Sequence, residues 1–258
     1  MTTAERRKRI YDILCADKTV EVNDLSKRFE VSTMTIRRDL AIFEKQGIIT
    51  TNYGGAYLNE GTAIEPSFAM KANLQLDSKR AMGAAAATLL ENGDSIFLDC
   101  GTTTLRICDF MPNLKLQIMT NSLVACNMLK TFPKLKLIIM PGVYSDTSVG
   151  FLGAMTAEYI GRFNLDKAFI GTDGVDVAHG VTVPDETDAM VKAAILRAAR
   201  QRILLAGQEK LGKAFMAKFA EMADIHILIT DAAENDERLT PIRAAGVKVM
   251  CVGQGGVG

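Results

Sequence analysis

The spacing of apolar residues changes character along the chain, and that change divides it in two. Over the first sixty residues the period is helical. Ile10, Ile13 and Leu14 fall at i, i+3 and i+4 spacing and predict a helix over 3–16. Thr19-Val20-Glu21 reads as a short extended piece, and Asn23 is a candidate cap for a second helix running to Phe29. Glu30-Val31-Ser32 makes a tight connection. Ser32 then caps a third helix over 33–46, which places Ile36, Leu40 and Phe43 on one face. Gly47 suits the position that ends it. Two short strands, 48–50 and 56–58, follow around a turn containing Gly54-Gly55.

From about residue 79, apolar runs alternate with amphipathic stretches. An Ala-rich helix over 81–90 closes at Asn92-Gly93. Strands are predicted over 95–98, 116–119, 135–140, 167–170, 202–206, 225–229 and 247–252. Helices are expected after the first two strands, over 183–199, and in short form before the last strand. This alternation implies a mostly parallel sheet covered on both faces. The expected fold class is α/β, with a small N-terminal helical module over 1–58 and a linker over 59–78 that contains Gly61 and Pro66. A larger, mostly parallel α/β domain fills 79–258.

Composition narrows the function classes. The 258 residues are 48% hydrophobic and 23% charged, ordinary values for a folded chain. Lys+Arg and Asp+Glu both number 30, so the net charge is zero and a polycation that grips nucleic acid by bulk charge is excluded. The total conceals a split: residues 1–58 hold 10 basic and 8 acidic side chains, and the remainder holds 20 and 22. Cys15, Cys100, Cys108, Cys126 and Cys251 lack C-x-x-C spacing and read as reduced core residues, neither a disulfide frame nor a zinc site. His179 and His226 have no partner at ligand spacing, so no metal or cofactor is expected. No apolar run approaches a membrane span and no leader pattern opens the chain, so the expected location is cytoplasmic, away from the membrane. Gly253 to Gly258 formally matches G-x-G-x-x-G. The chain ends there, without the helix and acidic residue the fingerprint requires, and a frayed tail is the expected state.

Helix, short strand, helix, tight turn, helix and two-stranded wing is the order of a winged helix-turn-helix. A recognition helix enters the DNA major groove by its N-terminal part, where short hydroxyls and long donors are needed. Ser32, Thr33, Thr35, Arg37 and Arg38 meet that demand, by donating to phosphates or, for Arg, by reading guanine with two bonds. Arg6 to Arg9, at the start of the first helix, are candidates for backbone phosphate. In the larger domain, three loops follow strands and carry small polar residues: 99–104, 120–122 and 171–174. In an open parallel sheet such strand ends line one crevice. Gly101 permits close approach, and Thr102, Thr103 and Thr104 offer hydroxyls and N–H groups suited to an anion. Asn121 and Ser122 line the second loop. Asp99 and Asp173 are candidate acceptors from sugar hydroxyls, and Lys192 and Lys210 candidate charges for a phosphate. The combination suggests a small, hydroxylated, anionic ligand, and turn or cap residues are the plain alternative for each loop.

The run Val31-Ser32-Thr33-Met34-Thr35-Ile36-Arg37-Arg38-Asp39-Leu40, then Gly47, then Tyr53-Gly54-Gly55-Ala56, closely resembles the signature of the DeoR family of bacterial transcriptional regulators. Arg6 through Leu14 and Leu25 through Phe29 match its earlier part. The resemblance continues through Ile96 to Asp99, Gly101 to Thr104, Thr120 to Ser122, Ala168 to Gly171, Glu186 with Val191-Lys192, and Leu228 to Asp231, and so covers essentially the whole chain. It implies an effector domain similar in fold to ribose-5-phosphate isomerase, with operator DNA and a phosphorylated sugar as partners and Tyr53 and Glu186 among the site residues.

Three departures stand out. The wing reads Thr50-Thr51-Asn52-Tyr53 where the family usually has Arg and His. Gly207 stands where an Asp is usual, with Lys210 and Gly212 kept. Ile170 replaces the first carboxylate of the isomerase's Asp-Gly-Ala-Asp stretch, which favours binding over proton transfer. The leading expectation is a repressor of a carbohydrate-use operon. The DNA-binding set is Arg6, Arg9, Ser32, Thr33, Thr35, Arg37, Arg38 and Tyr53, and the chain is expected to act as a homo-oligomer, dimer or tetramer, on repeated half-sites. A sugar-phosphate isomerase with an appended helical domain, and a winged helix that binds protein, are the rival expectations.

Overall fold

The computed structural model describes residues 1–45, 47–59, 61 and 65–253 and separates into two compact units, Met1–Leu74 and Gln75–Gly258. The first, the head, opens with α1, Thr3–Asp17, whose start is fixed by reciprocal bonds between Thr2 and Glu5. Strand β1, Thr19–Glu21, runs directly into α2, Val22–Phe29. Asn23 is therefore inside α2 rather than its cap. The Val22 N–H, donating to Gly54 O at 2.8 Å, already turns the chain into the helix. Glu30 ends α2 in a left-handed conformation with φ 53°.

Ser32 Oγ accepts the Thr35 N–H at 3.2 Å and so caps α3, Thr33–Lys45; the expected end at Gln46 lies outside the described residues. Strands β2, Ile49–Thr51, and β3, Gly55–Leu58, form the wing, with antiparallel sheet order β1-β3-β2. Ile10, Leu14, Leu25, Phe29, Ile36, Leu40, Phe43 and Ile48 meet in the head's core. Each such side chain stabilises it by about 1.5–3 kcal/mol. The segment expected to be a linker carries α4, Phe68–Asn73, whose Met70 packs on that core. Residues 60 and 62–64 of that segment lie outside the described residues.

The body begins with α5, Leu76–Ala87, five residues earlier than its composition suggests. Strand β4, Ser95–Leu98, leads through Asp99 to a 3-10 helix, Thr104–Phe110, where a regular helix was expected. Then come β5, Leu116–Thr120, α6, Leu123–Leu129, and β6, Leu135–Ile139. A hairpin of β7, Val143–Ser145, and β8, Gly150–Leu152, precedes α7, Ala154–Ile160. Strand β9, Leu165–Gly171, is followed by β10, Gly174–Asp176, and β11, Gly180–Val183. Helix α8, Glu186–Ala198, starts three residues later than expected, because Val183 belongs to β11 and Asp185 is the cap. The chain closes with β12, Ala199–Leu205, β13, Ala217–Ala220, β14, Ile227–Thr230, α9, Leu239–Ala244, and β15, Lys248–Cys251. The glycine-rich tail beyond Gly253 lies outside the described residues.

Seven strands form one sheet in the order β15-β14-β12-β9-β4-β5-β6, and every neighbouring pair is parallel. The strands of this sheet read as apolar runs because both faces are covered: Ile96, Phe97, Leu98, Phe169, Ile170, Leu204 and Leu228 are at most 1% exposed. The chain builds outward from β4 to β5 and β6. It then returns to the other side of β4 with β9 and continues outward to β12, β14 and β15. Strand order thus reverses between β4 and β9, and a crevice outside the carboxyl ends of those two strands is where an open parallel sheet binds ligands. A second sheet, β10-β11-β13, is antiparallel. Among the described residues no helix is long and apolar enough to cross a membrane.

Candidate functional site

Asp99 is the residue immediately after β4, at the point of reversal, and is 1% exposed. Its Oδ2 accepts the Gly171 N–H from the end of β9 at 3.1 Å and the Lys192 ammonium from α8 at 2.5 Å. Asp188, one turn before Lys192 on α8, lies 3.7 Å from the same ammonium. Burial alone would lower the Lys192 pKa, but the Asp188 and Asp99 carboxylates outweigh it and hold the pKa raised, so the amine keeps its proton. Burial, then the same two carboxylates, push the Cys100 thiol well above its ordinary range. Ligand atoms of Asp99, Cys100 and Asp188 lie within 4.8 Å of one another. The Lys192 ammonium lies against this cluster and supplies positive charge to it.

Around this pair the loops sort into scaffold and surface. The Thr104 hydroxyl donates to the carbonyls of Asp99 and Gly101, at 3.0 and 2.8 Å, and so shapes the loop from within. Ser122 Oγ caps α6 by accepting the Ala125 N–H. Asn121, fully buried, donates through Nδ2 to Phe151 O at 3.2 Å, while its Oδ1 has no partner among the described residues. Gly101 and Gly171 face each other across the crevice floor: a Cβ on Gly101 would lie 3.6 Å from the Gly171 Cα. Lys210 pairs with Asp173 at 3.0 Å, tying the loop after β12 to that after β9. Thr103 is half-buried beside Thr102.

Two expectations change. Lys192 is committed to carboxylates and brings no spare charge for a phosphate. Glu186 is exposed in the first turn of α8, and the carboxylate beside Lys192 is Asp188; the i, i+4 spacing of Asp188 and Lys192 was the available signal. One residue was missed outright. Lys79 of α5 is 7% exposed and donates to Thr102 Oγ1 at 3.1 Å, which puts a buried cation against the threonine loop. Nothing in its local sequence, amid exposed polar neighbours, marks it.

In the head, α3 turns Ile36, Asp39, Leu40 and Phe43 inward and leaves Ser32, Thr33, Arg37 and Arg38 exposed, with Thr35 half-buried. Ser32 Oγ and Thr35 Oγ1 lie 3.0 Å apart, so both hydroxyls are engaged at the cap. Arg37 donates to the Tyr53 carbonyl of the wing at 3.2 Å, and the Tyr53 side chain is 97% exposed. Arg9 is exposed. Arg6 is a correction: it is 7% exposed and its Nε donates to Asp39 at 2.6 Å, so it holds α1 to α3 and does not face solvent. Asp39 also accepts from Arg7 at 2.8 Å. Met34, unselected from sequence, is 58% exposed in the first turn of α3.

A family model described as the DeoR C terminal sensor domain matches residues 74–232, and one described as a DeoR-like helix-turn-helix domain matches residues 6–62. The chain is 33% identical, over 98% of its length and 95% of the relative's, to a protein of Escherichia coli O157:H7 named as a candidate aga operon transcriptional repressor. It is 32% identical to the uncharacterised HTH-type transcriptional regulator FruR of Bacillus subtilis, over 91% of this chain and 93% of that one. Ribose 5-phosphate isomerase A of Methanocaldococcus jannaschii aligns over 51% of this chain and 52% of its own, at 16% identity and a TM-score of 0.37, which carries no functional argument.

Proposed function

The chain belongs to the DeoR family of transcriptional regulators, and from that premise we propose that it represses a carbohydrate-use operon under the control of a phosphorylated sugar. The family assignment favours this reading over a sugar-phosphate isomerase. The observation that carries it is the division of α3 into a buried face and an exposed polar face, on a chain whose second unit has a polar crevice at the sheet's reversal point. Arg38, Thr33 and Met34 meet base edges and phosphates. Arg37 buttresses the wing, and Arg9 and Tyr53 touch the DNA backbone. In the crevice, Asp99, Asn121 and Asp173 accept from sugar hydroxyls, and Lys79 with Thr102 and Thr103 receives the phosphate. One head makes few contacts, so two or more copies act together on repeated half-sites. The test is binding of the full chain to labelled DNA from upstream of its own and neighbouring genes, with sugar phosphates added. No selective binding to any such fragment would overturn the reading.

Arg38→Ala is expected to cost about 1–3 kcal/mol of operator binding and to flatten its salt dependence, because an arginine contact is lost from a head whose net charge is small. Fluorescence anisotropy across a salt series checks this; wild-type affinity and slope in the variant would remove Arg38 from the interface. Met34 yields a second expectation. An exposed thioether in the first turn suits a thymine methyl in the major groove. Replacing that thymine by deoxyuridine should weaken wild-type binding about fourfold, the worth of roughly one buried CH2 group. The same replacement should leave Met34→Ala unaffected, and equal penalties in both proteins would exclude the contact.

A further inference from the structure

We propose that the first turn of α5 transmits effector occupancy to the head, through a bond between Glu209, in the loop after β12, and Gln75, at the junction of the two units. This rests on the effector reading above. Gln75 is the first residue of the body and the one preceding α5. Its backbone is left-handed, φ 49° and ψ 43°, a conformation that is strained for a residue with a Cβ. Its side chain makes no capping bond to α5. The end of the Gln75 amide lies 3.0 Å from both Glu209 carboxylate oxygens, and because a carboxylate only accepts, the amide nitrogen is the atom that faces them and donates.

Glu209 reaches that position by lying across Gly207, where a Cβ would come within 2.3 Å of Oε2. The Gly207 backbone, φ −66° and ψ 157°, is open to any residue, so glycine is needed here for space alone. On either side of Glu209 the loop is fastened to other strand ends. The Gln208 N–H donates to Asp231 Oδ1 at 2.7 Å, and Lys210 pairs with Asp173. One turn beyond Gln75, the Lys79 N–H donates to Gln75 O at 3.0 Å, and Lys79 Nζ reaches Thr102. The first turn of α5 is therefore bonded to the loops after β4 and β12, and through Lys210–Asp173 to the loop after β9.

On the other side, α4 ends at Asn73, so Leu74 and Gln75 alone separate it from α5, and Met70 of α4 packs on the head's core. A residue in a sparsely populated conformation persists while its surroundings hold it. A ligand that respaces the crevice loops changes what holds Gln75, and this gives it the differential affinity for two states that a switch requires.

The experiment uses the full chain as wild type, Gln75→Ala, Glu209→Ala, the double variant, and Gly207→Ala. The last keeps the carboxylate but displaces it from its seat. Binding of ribose 5-phosphate, glucose 6-phosphate, fructose 6-phosphate and inorganic phosphate is measured by calorimetry. Operator affinity is measured with and without saturating probe. Coupling between sites commonly amounts to a factor of about 5–150. Each variant is expected to keep probe and basal operator affinities within about threefold while the probe's effect on operator affinity falls at least about fivefold, the double variant matching the singles. Wild-type coupling in the variants overturns the proposal. Lost probe affinity in Glu209→Ala also overturns it, by placing that side chain in the binding site. No probe binding to the wild type overturns the effector reading on which it depends.

Discussion

Lys192→Met is expected to destabilise the body by about 3–5 kcal/mol, a large share of the roughly 5–15 kcal/mol that keeps a domain folded. The ammonium sits between Asp99 and Asp188, whose side chains are 0% and 7% exposed. Methionine fills much of the volume but removes the ammonium that lies between the two buried carboxylates. Protonating one of them relieves the repulsion, so the deficit should shrink as the pH is lowered from neutrality. In the wild type the sign is opposite. The raised lysine pKa contributes stability that is fully present below the ordinary lysine range and is lost only as the pH rises above it. Thermal melts of both proteins across pH check this, and a deficit that does not change with pH would mean the carboxylates are not confronting each other. Sugar-phosphate binding should fail with the crevice, since Asp99 also fixes the end of β9 through the Gly171 N–H.

Asp39→Ala is expected to unfold the head while leaving the body intact. Asp39 is 1% exposed and joins α3 to α1 through Arg6, which is itself buried, and through Arg7. Removing it leaves the Arg6 guanidinium buried and unpaired, at a cost of about 3–5 kcal/mol. A unit this small buries too little surface to absorb that loss. Operator binding should fall by more than about a hundredfold, the factor that roughly 2.7 kcal/mol represents. Calorimetry should show one transition of the two units lost and calorimetric sugar-phosphate binding kept. A head that melts as in the wild type would show that Arg6 finds water or another partner.

These two residues also mark the limit of what the pattern along the chain conveys. Asp39 lies in a run whose spacing identifies the helix and its family, yet its charge looks like part of a solvated face beside Arg37 and Arg38. That it faces inward follows from its place three residues after Ile36 and one before Leu40. That it meets Arg6 depends on how α1 packs on α3. Lys192 was legible as a candidate charge for a phosphate, but its role changed once Asp99 and Asp188 were found on either side of it. The short strands β7, β8, β10, β11 and β13 escaped because runs of three or four residues carry too little periodicity to separate strand from loop. Ser122 and Thr104 illustrate the plain alternative for polar loop residues, since their hydroxyls are used within the protein.

The sequence by itself determined the first three helices of the head, their order, the Ser32 cap and the exposed polar side of α3. These depend on contacts three or four residues apart, which a periodic pattern records directly. It also determined that the body is a parallel α/β sheet, because strands covered on both faces must be apolar throughout. Strand order was decided by tertiary structure alone. Asp99 and Lys192 are 93 residues apart along the chain and 2.5 Å apart in space because β9 returns to pair with β4. Which strands become neighbours is settled by the burial of whole layers against one another. No local run of residues encodes that choice, and so the site's ion pair, its two facing glycines and Lys79 emerge only from the folded chain.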